Sequence, residues 1–372
     1  MKNIALAAAF ILAATPAFAQ FGGLGKLKKA ADTAQKVSEL NISDKDERSL
    51  GEQVSQKIRT EYGVLQDTAV TKYVSLVGTV MTQASTRPDL KWEFIVLDTD
   101  GVNAFAAPGG IVHITRGALG LIKSEAELAG VLAHEIAHIT RKHTANAIRK
   151  NKGVKLASDA TRGSNAYIAA LADAAYDNIV ERGFDRGDEN DADQEGIRIA
   201  NKAGYKPAGL ATFLAKLAER NAANTASRNG LFASHPETKE RLDRIGRQIS
   251  SEKLASAALV ATRYAETIRF DAKRLDEIVT TEAAGARGVA GAQPVKKEEP
   301  KAEAQPKKKS GFGFGALKLT KGQQAESTQA SASAGGRAVG TDRHAKGGGN
   351  PNKLSIILSA AEVEAFRKGI VA

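Results

Sequence analysis

Hydrophobic positions along this chain change their period twice, and the changes mark out its elements. From about Asp44, the residues Leu50, Val54, Ile58 and Tyr62 recur every four positions, as the buried stripe of a helix does. Asp67 is placed to cap a second helix running towards Gln83, with Val70, Val74, Val77 and Val80 apolar. The period then shortens. Trp92 to Leu97 reads as a strand, and Ile111-Val-His-Ile-Thr as another, with the turn residues Pro108-Gly-Gly before it. From Ser124 to about Glu282 the pattern returns to helix and loop. The fold class expected is α+β, mostly α-helical with one small β-sheet, over residues 44–282.

Both ends of the chain read differently. Lys2 precedes an apolar stretch from Ile4 to Ala14, and Ala17-Phe18-Ala19 fits the small-x-small pattern of a signal-peptidase site. Residues 1–19 are therefore expected to be a signal peptide cleaved after Ala19, which predicts an exported, periplasmic protein. A basic segment, 20–43, follows, and the mature chain contains no stretch apolar enough for a transmembrane helix. After Ala283 the composition turns to Ala, Gly, Lys, Gln, Pro and Ser, too poor in large apolar residues to bury a core. Residues 283–352 are expected to be a disordered linker. Leu354-Ser-Ile-Ile-Leu is apolar again, and Ser359 with Glu362 makes a capping box, so 353–372 reads as a strand and helix that dock on something.

Charge narrows the partners. The net charge is +11, but residues 296–353 alone hold twelve Lys and Arg against five Asp and Glu. A basic tail on an exported chain suits an anionic surface or an acidic partner such as envelope assembly machinery; nucleic acid is not an expected partner. There is no cysteine, which removes disulfides and thiolate metal ligands.

The segment His134-Glu135-Ile136-Ala137-His138 carries the chemistry. Ser124 as cap and Glu127 three residues on start its helix, and Leu128, Val131, Leu132 and Ile136 supply the apolar positions. Histidines four apart share one helical face, so both imidazoles can point at one metal ion. Glu135 projects about 100° round from His134, beside the metal, where it can take a proton from water polarised by the ion. A third ligand is available in Glu189-Asn190-Asp191-Ala192-Asp193, a region that closes as a helix at Gly204 before Pro207. Glu189 and Asp193 share a face, so one can ligate while the other bonds the outer nitrogen of a ligating histidine. Spacing alone does not select Glu189 over Asp188 or Asp191.

Four ordered motifs resemble a known family. They are Asn103-Ala-Phe-Ala-Ala-Pro-Gly-Gly with Thr115-Arg-Gly-Ala-Leu, His134-Glu-Ile-Ala-His-Ile-Thr-Arg-Lys-His, Glu189-x-x-Ala192-Asp193-x-x-Gly196, and Ser234-His235-Pro236 followed by Arg241. Together they are similar to the zinc endopeptidases that include the CAAX-prenyl endopeptidases, HtpX and soluble periplasmic relatives, over roughly residues 48–250. The resemblance implies a zincin-like catalytic domain with the sheet beside the HExxH helix. It implies one Zn2+ held by His134, His138 and Glu189, with Asp193 behind a ligand and Glu135 catalytic. His235 is expected at the site, as oxyanion stabiliser or as a fourth ligand that plugs the zinc, against the plain alternative of a helix cap. His143, out of phase with His134, reads as structural, His113 as packing, and His344 as part of the disordered tail.

Residues Gly110, Ile111, Val112 and His113 are expected to form an edge strand that accepts an extended substrate by main-chain hydrogen bonds. The function expected is zinc-dependent endopeptidase cleavage of unfolded or misassembled cell-envelope proteins. The alternative is an envelope assembly factor or chaperone with a latent zinc site.

Overall fold

The computed structural model describes residues 42–150, 165–222, 235, 238–281 and 340–371. The expected signal peptide, most of the basic segment and most of the linker lie outside the described residues.

Two helices open the domain. In α1 (Asp44–Tyr62) Leu50, Val54 and Ile58 are fully buried, and the Ser43 side chain accepts from Asp46 N. In α2 (Thr68–Ala84) the Asp67 carboxylate accepts from the amides of Ala69 and Val70, so a short acceptor satisfies donors the helix cannot. Three strands follow, β1 (Glu93–Leu97), β2 (Ala104–Ala107) and β3 (Ile111–Thr115), in the order β1-β3-β2. β3 runs parallel to β1, pairing Glu93 with Ile111 and Leu97 with Thr115. It runs antiparallel to β2, pairing Ala104 with Ile114 and Ala107 with Ile111. The β2–β3 turn is tight because Gly109 and Gly110 take φ of +71° and +97°.

This order corrects one expectation. β3 is the central strand and is bonded on both sides, and Gly110 O already accepts from Glu93 N at 2.8 Å. Gly110, Ile111, Val112 and His113 therefore cannot present an edge to substrate. The sheet's edges are β1 and β2, and the one that packs against the HExxH helix is β2, whose Ala-Phe-Ala-Ala carries no β-branched residue to mark it as a strand.

Helices make up the rest: α3 (Arg116–Leu121), α4 (Glu125–Thr140), α5 (His143–Lys150), α6 (Asn165–Tyr176) running on into a π-helical stretch (Asp177–Arg182), α7 (Arg186–Lys202), α8 (Gly209–Asn221), α9 (Thr238–Ser251), α10 (Ala261–Thr267) and α11 (Ala360–Val371). All 16 residues of α4 are buried, under α7, α8, α2 and β2. A helix so enclosed holds its side chains in fixed rotamers, which a site requires. Among the described residues no helix is long and apolar enough to cross a membrane.

The carboxy-terminal segment is part of this body. Residues 340–352, assigned by composition to the linker, pack on the domain. The buried Asp342 carboxylate accepts from Arg220 at 2.7 and 2.9 Å and from Val102 N at 3.0 Å. Arg343 pairs with Glu181, and Val64 N donates to Asn350 O at 2.6 Å. His344 lies in an ordered turn whose carbonyl accepts from Thr281 N at 2.9 Å, and Ala345 bridges Thr280. These contacts are ion pairs and backbone bonds, which leave no hydrophobic signature. Leu354–Leu358 joins no ladder, and Ile357 stays 88% exposed. In α11 Ser359 and Glu362 cap each other, with Ser359 N donating to Glu362 at 2.9 Å and Glu362 N to Ser359 Oγ at 3.2 Å. Phe366 then packs edge-on to Tyr73 and under Arg263. The terminal helix docks on its own domain.

Candidate metal centre and active site

α4 and α7 pack along each other and build the centre between them. His134 and His138, one turn apart on α4, bring their Nε2 atoms to 3.1 Å. Asp185 caps α7 and Glu189 stands in its first turn, where the helix dipole favours a carboxylate. Two turns on, Gly196 lets α7 close against α4: a Cβ there would lie 3.0 Å from His134 N. Glu189 Oε1 consequently lies 3.3 Å from His138 Nε2, and Oε2 3.6 Å from His134 Nε2. His235 adds a third imidazole, its Nδ1 2.6 Å from Glu189 Oε1 and 3.1 Å from His134 Nε2. One donor atom from each of His134, His138, Glu189 and His235 lies within 4.8 Å of the others, and all four residues are buried.

That donor set fits a divalent cation. Burial holds the His138 imidazole well below its ordinary pKa, with Glu189 offsetting only part of the effect, so it is neutral. The Nε2 atoms of His134 and His138 face each other at 3.1 Å, and two such nitrogens need a proton or a cation between them. Both oxygens of Glu135 are buried without a hydrogen-bond partner, beside the cluster, with Oε1 3.6 Å from His235 Nε2. Three nitrogens and a carboxylate suit zinc by ligand type. Burial pushes the Glu135 carboxyl pKa up, as a proton acceptor working near neutral pH requires.

The surrounding groups orient this set. Arg241 donates to Asp193 through Nε at 2.8 Å and Nη2 at 2.6 Å, and its Nη1 lies 3.1 Å from Glu189 Oε2. Asp193 Oδ1 is 3.0 Å from His134 Nδ1. Burial opposes ionisation of Asp193, but the Arg241 guanidinium outweighs it and holds the pKa at about 2. Burial likewise opposes the Glu189 charge, and His235 and Arg241 together hold its pKa well below the ordinary value. For His235 burial acts downwards, and the carboxylates of Glu189 and Glu135 raise the pKa in spite of it.

Of the acidic residues that spacing left equivalent, Glu189 alone joins the donor cluster. Asp193 stands behind His134, and Asp191 lies 3.2 Å from His143 Nε2. Phe184 stacks on His138 with ring centroids 4.0 Å apart, a contact that no periodicity signals. Arg241 was visible only as part of a motif, because its role depends on bringing α9 onto α7. His113 is not part of the donor cluster; it is fully buried and its Nε2 lies 2.9 Å from Ser55 Oγ. Ser234 and Pro236 lie outside the described residues. A groove of about 1150 Å3 lies elsewhere, between α2, β1 and residues 353–367, and no residue of the centre lines it.

Comparison with known proteins agrees with the geometry. The chain is 26% identical over 192 residues to the beta-barrel assembly-enhancing protease of Yersinia pestis, covering 48% of this chain and 39% of that protein. It is 30% identical over 204 residues to the mitochondrial metalloendopeptidase OMA1 of Schizosaccharomyces pombe, covering 54% and 60%. It is 24% identical over 233 residues to the metalloprotease LoiP of Escherichia coli, covering 61% and 89%. The chain thus spans less than half the length of the assembly-enhancing proteases that it matches. The model of peptidase family M48 matches residues 68–249, the stretch that supplies both histidines of α4, Glu189, His235 and Arg241, so the part of the chain that carries the centre is similar to that family.

Proposed function

We propose that the protein is a zinc-dependent endopeptidase. The observation that carries this reading is the buried donor cluster of His134, His138 and Glu189 with the unpartnered Glu135 carboxylate beside it. When bound there, zinc supplies Lewis-acid polarisation of a carbonyl oxygen and acidifies adjacent water. Glu135 removes a proton from the attacking water as its oxygen bonds the carbonyl carbon. It then passes that proton to the amine nitrogen as the C–N bond breaks. Arg241 and Asp193 keep Glu189 and His134 in place during these steps.

An extended peptide is read as an added strand on β2, the sheet edge that packs against α4. Main-chain pairing favours unfolded or misassembled proteins, and the likeness to proteases named for beta-barrel assembly supports substrates of the cell envelope. Export to the periplasm and contact of the basic tail with envelope assembly machinery or an anionic surface belong to the same proposal. Cleavage of a denatured protein by the purified chain tests it, beside Glu135→Gln and a zinc-chelated control. Loss of cleavage in both controls is expected; equal cleavage in all three rejects the mechanism.

His235 supports a second reading. Its Nδ1 lies among the donors, and a fourth protein ligand would close a zinc site that catalysis needs open. Such a chain would assist assembly with a latent site. An assembly role that survives Glu135→Gln, together with cleavage that appears only on His235→Ala, would favour it.

A further inference from the structure

We propose that His143 is a positioning residue for the metal: with Asp191, it holds His138 in the one tautomer that leaves Nε2 free to ligate. The inference rests on the zinc reading above and gives a role to a histidine that helical phase assigns to structure alone.

The helical phase does not extend that far. α4 ends at Thr140, Arg141 caps it, and Lys142 takes a left-handed φ of +55°. For a residue other than glycine that conformation costs about 1–2 kcal/mol. The reversal brings His143 back onto the ligand, with ring centroids 4.9 Å apart at 77°. His143 Nδ1 and His138 Nδ1 are then hydrogen-bonded at 3.0 Å.

Only one proton fits between those two nitrogens. If His138 Nε2 is to offer its lone pair to a metal, the His138 proton must be on Nδ1, and His143 Nδ1 must accept it. Neutral His143 then carries its own proton on Nε2, 3.2 Å from Asp191 Oδ2. An ionised carboxylate only accepts, so Asp191 fixes the tautomer of His143, and His143 that of His138. Without Asp191, His143 can protonate at Nδ1 and donate to His138. The His138 proton would then sit on Nε2 and block the metal. His134 meets a carboxylate directly, since its Nδ1 faces Asp193. His138 reaches one through an intermediary, and the chain of bonds ends at an Asp191 side chain that is 43% exposed.

Zinc competition against a chromophoric chelator, on the purified full chain stripped of metal, tests this. His143→Phe, which keeps the volume and removes the acceptor, is expected to weaken zinc binding about 10–100-fold. His143→Asn, whose amide oxygen can accept in place of Nδ1, is expected to recover most of that affinity. Asp191→Ala, a change at a partly exposed position, is expected to weaken binding about 10-fold. Circular dichroism of the zinc-free forms reports folding. Equal losses in the Phe and Asn variants, or no loss in Phe, overturn the proposal. If His143→Phe does not fold, wild-type affinity in Asp191→Ala overturns it instead. A wild-type chain that binds no zinc rejects the reading of the whole site, a result distinct from tight binding in every variant.

Discussion

The Asp342 carboxylate and the Arg220 guanidinium meet through two hydrogen bonds, of 2.7 and 2.9 Å, in a place where neither side chain is more than 8% exposed. They are far apart in the chain, and the pair fastens the carboxy-terminal segment to α8. Removing one partner leaves the other charge buried alone. Asp342→Ala is expected to lower unfolding free energy by about 3–5 kcal/mol. Lys72→Ala, which breaks the exposed pair with Glu362, should cost about 1 kcal/mol or less. Urea unfolding of both variants checks the contrast, and equal effects would mean that the terminal segment is not part of the cooperative unit.

Glu135 is expected to trade stability for chemistry. Both its oxygens are buried without a partner, and burial raises its pKa. The native carboxyl ionises less readily than the unfolded one, so stability falls as pH rises from the ordinary carboxylate range to the folded pKa, and the full penalty then holds above it. Glu135→Gln should cut hydrolysis about 10²–10⁴-fold. In the zinc-chelated protein it should also raise stability by about 1–3 kcal/mol at neutral pH. Thermal unfolding of chelated samples across pH measures the second effect; a less stable variant contradicts it.

His113 predicts an acid sensitivity of its own. Burial lowers its pKa from 6.5 to about 3. Between those values the unfolded chain holds the extra proton, so acid favours unfolding. The contribution is complete above pH 6.5 and is lost by up to about 1.4 kcal/mol per pH unit as pH falls towards 3. In His113→Gln this slope should disappear, so its stability profile should be flatter than wild type. Parallel profiles from pH 7 to pH 4 would rule the effect out.

Gly196 is where packing and chemistry share an atom's width. A Cβ there would sit 3.0 Å from His134 N and 3.1 Å from its Cα. Gly196→Ala should push α7 away from α4 by a few tenths of an ångström, at about 1–3 kcal/mol. Because Glu189 rides on the same helix, zinc affinity should fall with stability. Calorimetric titration of a folded variant that shows wild-type affinity would separate the two.

Legibility in the sequence followed the range of the interaction. The four-residue stripe from Leu50 to Tyr62, the caps Asp67 and Ser124, and the box of Ser359 with Glu362 are local, and each has its counterpart in the structure. The pairing of two histidines on one face is local as well. Strand order is not, and so the pattern reads β3 as an edge although β2 folds back to cover it. The partner of His143 was hidden for the same reason, since a left-handed residue at position 142 interrupts the helical phase from which a partner would be read. Residues 340–352 were hidden differently: ion pairs and backbone bonds hold them, and composition registers only apolar burial.

The bond from Thr281 N to His344 O, with the bridge between Thr280 and Ala345, brings the chain back to the point it left. The described residues on either side of 282–339 are therefore pinned together. The entropy of closing a loop rises only with the logarithm of its length, about 0.6 kcal/mol for each doubling. Lengthening or shortening the connection from 281 to 344, or building a different segment into it, should therefore cost the domain little stability. The junction at 281 and 344 is the natural place for evolution, or an engineer, to graft a new module.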